Sequence, residues 1–217
     1  MGGGDAGVEV SVDVLVVGGG VCGLWTLHAL RAAGYDAWLI EKSALGDGQT
    51  IASQGILHAG AKYRLPGNAV DAARAVADVQ GVWEDAMVNC DAHPMTPMLN
   101  GVRIIDERTL LWTTPGLGSR LAAKGAKRIM RSAVTLVARD RWPAGFAGAP
   151  KGVDVFETAE MVLDPGSLLE RLAEGRFTAG RSRIGRVASI ADGPGGVVVR
   201  LEGVDCTVRA SAVVLAA

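Results

Sequence analysis

Residues 18–23 read Gly-Gly-Gly-Val-Cys-Gly, a G-x-G-x-x-G run between the apolar segment Val12-Asp-Val-Leu-Val-Val17 and a helical pattern over residues 21–33. In such a run each glycine has a mechanical task. Gly18 permits the tight turn out of a strand, Gly20 lets backbone approach a pyrophosphate, and Gly23 lets the next helix pack close to the strand. The pyrophosphate then rests on the N–H groups and positive dipole end of that helix, which Val21 and Cys22 open. The flanks supply the required context. Residues 12–17 form a short apolar run of the kind covered on both faces in a parallel sheet. Val21, Leu24, Leu27 and Leu30 make an apolar stripe, and Gly34 ends the helix. Asp36-Ala-Trp-Leu-Ile-Glu41 is a second apolar strand. Strand, helix and strand within roughly 30 residues make a βαβ unit with a right-handed crossover. Glu41 closes the second strand 18 residues after Gly23, where a carboxylate accepts hydrogen bonds from a ribose. FAD and NAD present the same ADP half to such a unit, so the unit alone leaves both open.

An α/β fold class follows, and the remaining residues say how it is organised. Residues 1–9 read as a flexible tail, with no basic stretch or apolar core to make a signal peptide. Residues 43–55 form a polar loop carrying Gly46, Gly48 and Gly55, and a long loop of this kind is usually functional. A helix is predicted over 68–89, with Ala73, Val76, Val79, Trp83 and Ala86 on one face and Asn68 as N-cap. Residues 101–105 and 109–113 read as paired strands, 117–124 as a short helix and 141–152 as a loop. Asp164-Pro165 is an N-cap followed by proline at the first helical position, with Leu168, Leu169 and Leu172 on the buried face and Gly175 at the end. Strands are predicted near 183–190, 196–201 and 206–210, with a further buried-type strand at 212–217. The expected division is therefore a nucleotide domain over 10–93 and 163–217, interrupted by part of a sheet-rich substrate domain over 94–162.

Composition excludes several classes. The 217 residues are 49% hydrophobic and 21% charged, enough apolar content for a sizeable core. A net charge of −1 lacks the basic footprint of a nucleic-acid binder. No apolar run reaches the length of a membrane span. Cys22, Cys90 and Cys206 are scattered and make neither a disulfide framework nor a metal pattern, as expected of reduced thiols in a cytoplasmic protein. The basic residues Lys124, Lys127, Arg128 and Arg131 read as a solvated face, and His28 as a packed helix residue.

Four segments together resemble the D-amino-acid oxidase superfamily of flavoproteins: residues 12–42, the loop Gly48-Gln-Thr-Ile-Ala-Ser-Gln-Gly-Ile-Leu-His-Ala-Gly-Ala-Lys-Tyr63, residues 163–174, and residues 186–190 with the closing run 211–217. The loop is most similar to that of the L-2-hydroxyglutarate and glycerol-3-phosphate dehydrogenase branches. The resemblance implies a glutathione-reductase-type FAD-binding domain. It places Gly18, Gly20 and Gly23 on the pyrophosphate and Glu41, with Lys42 beside it, on the adenosine ribose. It runs Ser53, Gln54, Gly55 and Ile56 along the flavin end, sets Val187 backbone on the adenine, and brings Ala216 and Ala217 to the cofactor from the closing strand. The family has a further Gly turn after that strand, so the sequence reads as C-terminally shortened.

The implied reaction removes a hydride from a CH–OH or CH–NH carbon of a small hydroxy or amino acid bearing a carboxylate or phosphate. His58 follows the flavin stretch and has the chemistry of a general base, or else lines the flavin pocket. Lys62, Tyr63 and Arg64 are substrate-side candidates, or surface residues at a turn. Two alternatives stand beside this reading: a non-catalytic FAD-binding remnant, and an NAD-dependent oxidoreductase.

Overall fold

The structure, a computed structural model, describes residues 8–58, 79, 81–88, 93–114 and 134–216. These fall into two compact units. One is drawn from Met1–Ser53, Asp85–Val102 and Pro165–Ala217, the other from Gln54–Glu84 and Arg103–Asp164. This division differs from the expected boundaries at 93/94 and 162/163. Gln54 to His58 group with the second unit because their backbone pairs with residues 161–163 there.

The first unit is built on a six-stranded sheet. Its strands are β1 (Val8–Val17), β2 (Ala37–Glu41), β8 (Ser182–Ile184), β9 (Val187–Gly193), β10 (Gly196–Leu201) and β11 (Cys206–Leu215), in the order β8-β2-β1-β11-β10-β9. The strands from β8 to β11 in that order run parallel; β10 and β9 are antiparallel additions. Helix α1 (Val21–Ala32) joins β1 to β2 and packs on both. It also touches helix α2 (Pro165–Ala173), whose Leu168, Leu169 and Leu172 are buried as their spacing demands. Leu24 and Leu27 of α1 are fully buried, worth about 1.5–3 kcal/mol each. Val12, Leu15, Ile40, Val199, Val208 and Ala210 make a contiguous core.

Two sequence expectations for this unit are corrected. Val8 and Glu9 are not tail: they belong to β1, in parallel register with Cys206 and Thr207. The strands expected at 206–210 and 212–217 are one ten-residue strand, continuous because β1 offers an unbroken parallel ladder as far as Leu215.

The second unit holds two small antiparallel sheets. In one, β3 (Ile104–Asp106) pairs with β7 (Val162–Leu163). In the other, β6 (Val155–Thr158) lies between β4 (Thr109–Trp112) and β5 (Thr135–Leu136). β3 and β4 therefore do not pair with each other, contrary to expectation. The residues between them are Glu107 and Arg108. A two-residue hairpin needs positive φ there, and no described non-glycine residue adopts it.

Val79 and residues 81–88 are helical. The rest of the helix expected over 68–89 lies outside the described residues, as do Lys62, Tyr63, Arg64, Cys90, the 117–124 helix, the Lys124–Arg131 cluster and Ala217. Among the described residues no helix is long and apolar enough to cross a membrane.

Candidate functional site

At the carboxyl ends of β1 and β2 a pocket of about 560 Å³ opens in the first unit. Its floor is the glycine run. Gly18 turns out of β1 with φ 113°, which only glycine adopts without strain. A Cβ on Gly23 would collide with the Gly18 carbonyl oxygen, so helix and strand meet at a distance that any side chain would prevent. A Cβ on Gly20 would stand 2.9 Å from Thr50 Oγ1. Gly20 is the N-cap of α1 and has no side chain with which to cap it. The Thr50 hydroxyl, from the 43–55 loop, accepts the Val21 N–H at 3.1 Å instead. The first N–H groups of a helix have no partner within the helix, and Gly20, Val21 and Cys22, which open this one, line the pocket.

Glu41, buried at the end of β2, is the acidic wall of this pocket. Oε2 accepts the Gly19 N–H at 2.6 Å, and Oε1 accepts the Ser43 N–H at 3.1 Å. Oε1 also accepts the Ser43 hydroxyl at 3.4 Å. The carboxylate thus holds the glycine loop as well as facing the pocket, and Oε2 has a second lone pair for a ribose hydroxyl. Lys42 lines the pocket beside it.

Gly18, Gly20, Val21, Cys22, Glu41, Lys42, Val187 and Ala216 all line this one pocket. Ala216 reaches it because its N–H donates to the Val17 carbonyl, prolonging the β1–β11 ladder. Gly23 stands behind the lining, against β1. The sequence reading missed Gly19, whose N–H is the Glu41 contact, and the stretch Gly46 to Thr50, whose residues form one wall. The triple glycine and the polar, glycine-rich loop were the available signals. Cys22 is exposed there.

Ser53, Gln54, Gly55 and Ile56 do not line the pocket. Ser53 donates its N–H to Thr50 O at 3.2 Å within the first unit. Gln54 is exposed in the second unit. There the Gly55 carbonyl accepts the Leu163 N–H at 2.9 Å, Ile56 forms an antiparallel bridge with Val162, and the Leu57 N–H donates to Met161 O at 2.9 Å. Gly55 has φ 67°, and a Cβ on it would run into the Leu163 carbonyl. His58, half-buried, has Nδ1 3.5 Å from Oε1 of the buried Glu160.

The family model for FAD-dependent oxidoreductases of the D-amino-acid oxidase type matches residues 13–217. The chain belongs to this family. FAD is the family's cofactor, which decides between the two dinucleotides that the βαβ unit leaves open. A probable FAD-dependent oxidoreductase of Pseudomonas aeruginosa is 38% identical over 165 residues, covering 76% of this chain and 41% of that protein. The crystal structure of the Pseudomonas aeruginosa FAD-dependent oxidoreductase is similar with a TM-score of 0.64 at 29% identity, over 96% of this chain and 48% of that one. L-α-glycerophosphate oxidase of Mycoplasma pneumoniae, solved with FAD bound, has a TM-score of 0.70 at 17% identity, over 94% of this chain and 53% of that one. Glycine oxidase of Geobacillus kaustophilus has a TM-score of 0.66 at 18% identity, over 96% and 55%. The chain spans about half the length of the relatives it matches.

The pocket suits the family's cofactor. It joins a side-chain-free cradle, a helix N-terminus facing the cavity and a buried carboxylate 18 residues past the third glycine. These are the fittings for a pyrophosphate and a ribose.

Proposed function

We propose that this chain binds the ADP half of FAD in the β1–β2 pocket and serves a dehydrogenase or oxidase of small hydroxy or amino acids. The observation that carries the reading is the pocket itself: eight of the residues expected at the cofactor line it together. Gly18 and Gly20 leave room for the pyrophosphate, and the N–H groups at the start of α1 stabilise its charge. Glu41 accepts from the ribose, with Lys42 beside it. Val187 and Ala216 bound the far side. Ser53, Gln54, Gly55 and Ile56 serve the flavin end, as does Ala217, which lies outside the described residues.

When bound, FAD supplies the two-electron acceptor, and the protein supplies binding and orientation. The substrate carbon loses its C–H electron pair as a hydride, and the hydroxyl or amine proton leaves to a base, so that a ketone or imine remains. His58 is that base in our reading. Similarity to proteins named as glycine and glycerophosphate oxidases supports a substrate that carries a carboxylate or phosphate.

The first experiment is an absorbance spectrum of the chain mixed with FAD and then desalted. Retained flavin bands in the wild type, lost in Gly20→Val, are the expected result. Folded wild-type chain that retains no flavin would sink the proposal and favour a remnant that no longer binds the cofactor.

A further inference from the structure

We propose that Glu160 is the positioning residue of His58, fixing the proton on Nδ1 and leaving Nε2 as the basic nitrogen. This rests on the reading of His58 as the base under Proposed function and adds the group that makes it one.

The argument begins with strand register. In an antiparallel pair the numbers of opposed residues have a constant sum. The Gly55–Leu163 hydrogen bond, the Ile56–Val162 bridge and the Leu57–Met161 hydrogen bond all obey the same sum, and the next pair in that register is His58 with Glu160. Directly opposed side chains start with Cβ atoms about 4.5–5.5 Å apart. Backbone pairing therefore delivers the imidazole to the carboxylate, and the 3.5 Å Nδ1–Oε1 separation is its result. Gly55 permits the pairing, because a Cβ on it would run into the Leu163 carbonyl.

The second part is the burial of Glu160. Its side chain is 7% exposed. A buried carboxylate is costly unless hydrogen-bonded and paired. Thr109 Oγ1 donates to Oε2 at 3.3 Å. Thr109 and Thr158 hydroxyls are 2.6 Å apart. With the Thr109 proton given to Glu160, the Thr158 hydroxyl donates to Thr109. One oxygen of Glu160 is thus anchored by a hydroxyl pair bridging β4 and β6, and the other faces the imidazole. An anchored carboxylate 3.5 Å from Nδ1 favours the proton on that nitrogen, so the tautomer follows from the neighbour. Nε2 then holds a lone pair, ready for the proton of a substrate hydroxyl or amine; FAD, when bound, would supply the acceptor for the C–H electron pair.

The test is ring-nitrogen NMR on the 15N-labelled full chain at pH about 9, where a histidine is ordinarily neutral. The chain has three histidines, and a His58→Gln variant assigns the signal of interest. Wild type is expected to show His58 as the Nδ1–H tautomer. Glu160→Gln keeps an acceptor and should retain that tautomer, whereas Glu160→Leu should exchange the two nitrogen signals to Nε2–H. Wild-type His58 in the Nε2–H form would overturn the proposal, even if Glu160→Leu does not fold. So would a folded Glu160→Leu with unchanged nitrogen signals. Flavin retention on the same samples separates the two readings. Nδ1–H with no flavin retained removes the cofactor reading and supports this one; retained flavin with Nε2–H does the reverse.

Discussion

Glu41 shows how one side chain ties local backbone to a pocket. Its carboxylate holds the Gly19 and Ser43 N–H groups and also faces the ribose position. Replacing it with leucine strands the Gly19 donor, at a cost of about 1–3 kcal/mol. Glu41→Leu should therefore lower stability in urea by that amount and weaken FAD binding as well. Glu41→Gln, which still accepts from Gly19, should keep most of the stability. Equal stability losses in the two variants would show that the Gly19 contact contributes little. A second residue gives a pH dependence. His28 is buried against the edge of the Phe177 ring, 5.2 Å between centroids. Burial pushes its pKa below the ordinary 6.5, and the backbone groups of Pro94 and Thr96 act weakly the other way. The unfolded chain then binds a proton that the folded chain refuses. Stability contributed by neutral His28 is present above pH 6.5 and is lost as pH falls below it, by at most about 1.4 kcal/mol per pH unit. The difference in urea stability between wild type and His28→Phe should accordingly change between pH 7.5 and 5. A constant difference would remove His28 as the cause.

At the scale of the element, α1 is the piece on which the first unit depends. Leu27→Ala should cost about 2–5 kcal/mol, read from chemical denaturation, because it would leave a cavity where a fully buried side chain stood. Most of what surrounds α1 was legible in the sequence, because local patterns decide it. The glycine run, the stripe of Leu24 and Leu27 and the Asp164-Pro165 start each need only a few neighbouring residues. The alternation Val8, Val10, Val12 was also there to read as a strand, but Val8 and Val10 are exposed, so the run lacks the continuous apolar character that marked 12–17. What stayed hidden was pairing over distance. Nothing local to Ile104 names Leu163 as its partner, and nothing near Glu160 announces that it faces His58. The same dependence yields a prediction. Gly55→Ala must push the Leu163 backbone away. The His58 ring-nitrogen signals should shift in that variant; unchanged signals would show that the Gly55 contact does not place the imidazole.

For the molecule as a whole, a ligand seated on the first unit adds its binding energy to the fold. At one hundred times Kd, free FAD should contribute about 2.7 kcal/mol, visible as a rise in Tm that grows with the logarithm of FAD concentration. A Tm independent of FAD would contradict the pocket assignment. The sheet order carries a different consequence, one of time rather than of energy. β1 is made long before its neighbour on one side, β11, with Val8 opposite Cys206. Pairs so far apart in sequence form slowly, since a very long loop must close before any contact rewards it. During synthesis β1, α1 and β2 therefore emerge as an open half-sheet and wait for almost the whole of the described chain. A nascent chain halted before residue 206 should be cut readily by protease within β1 and α1, and one extended beyond residue 215 should resist.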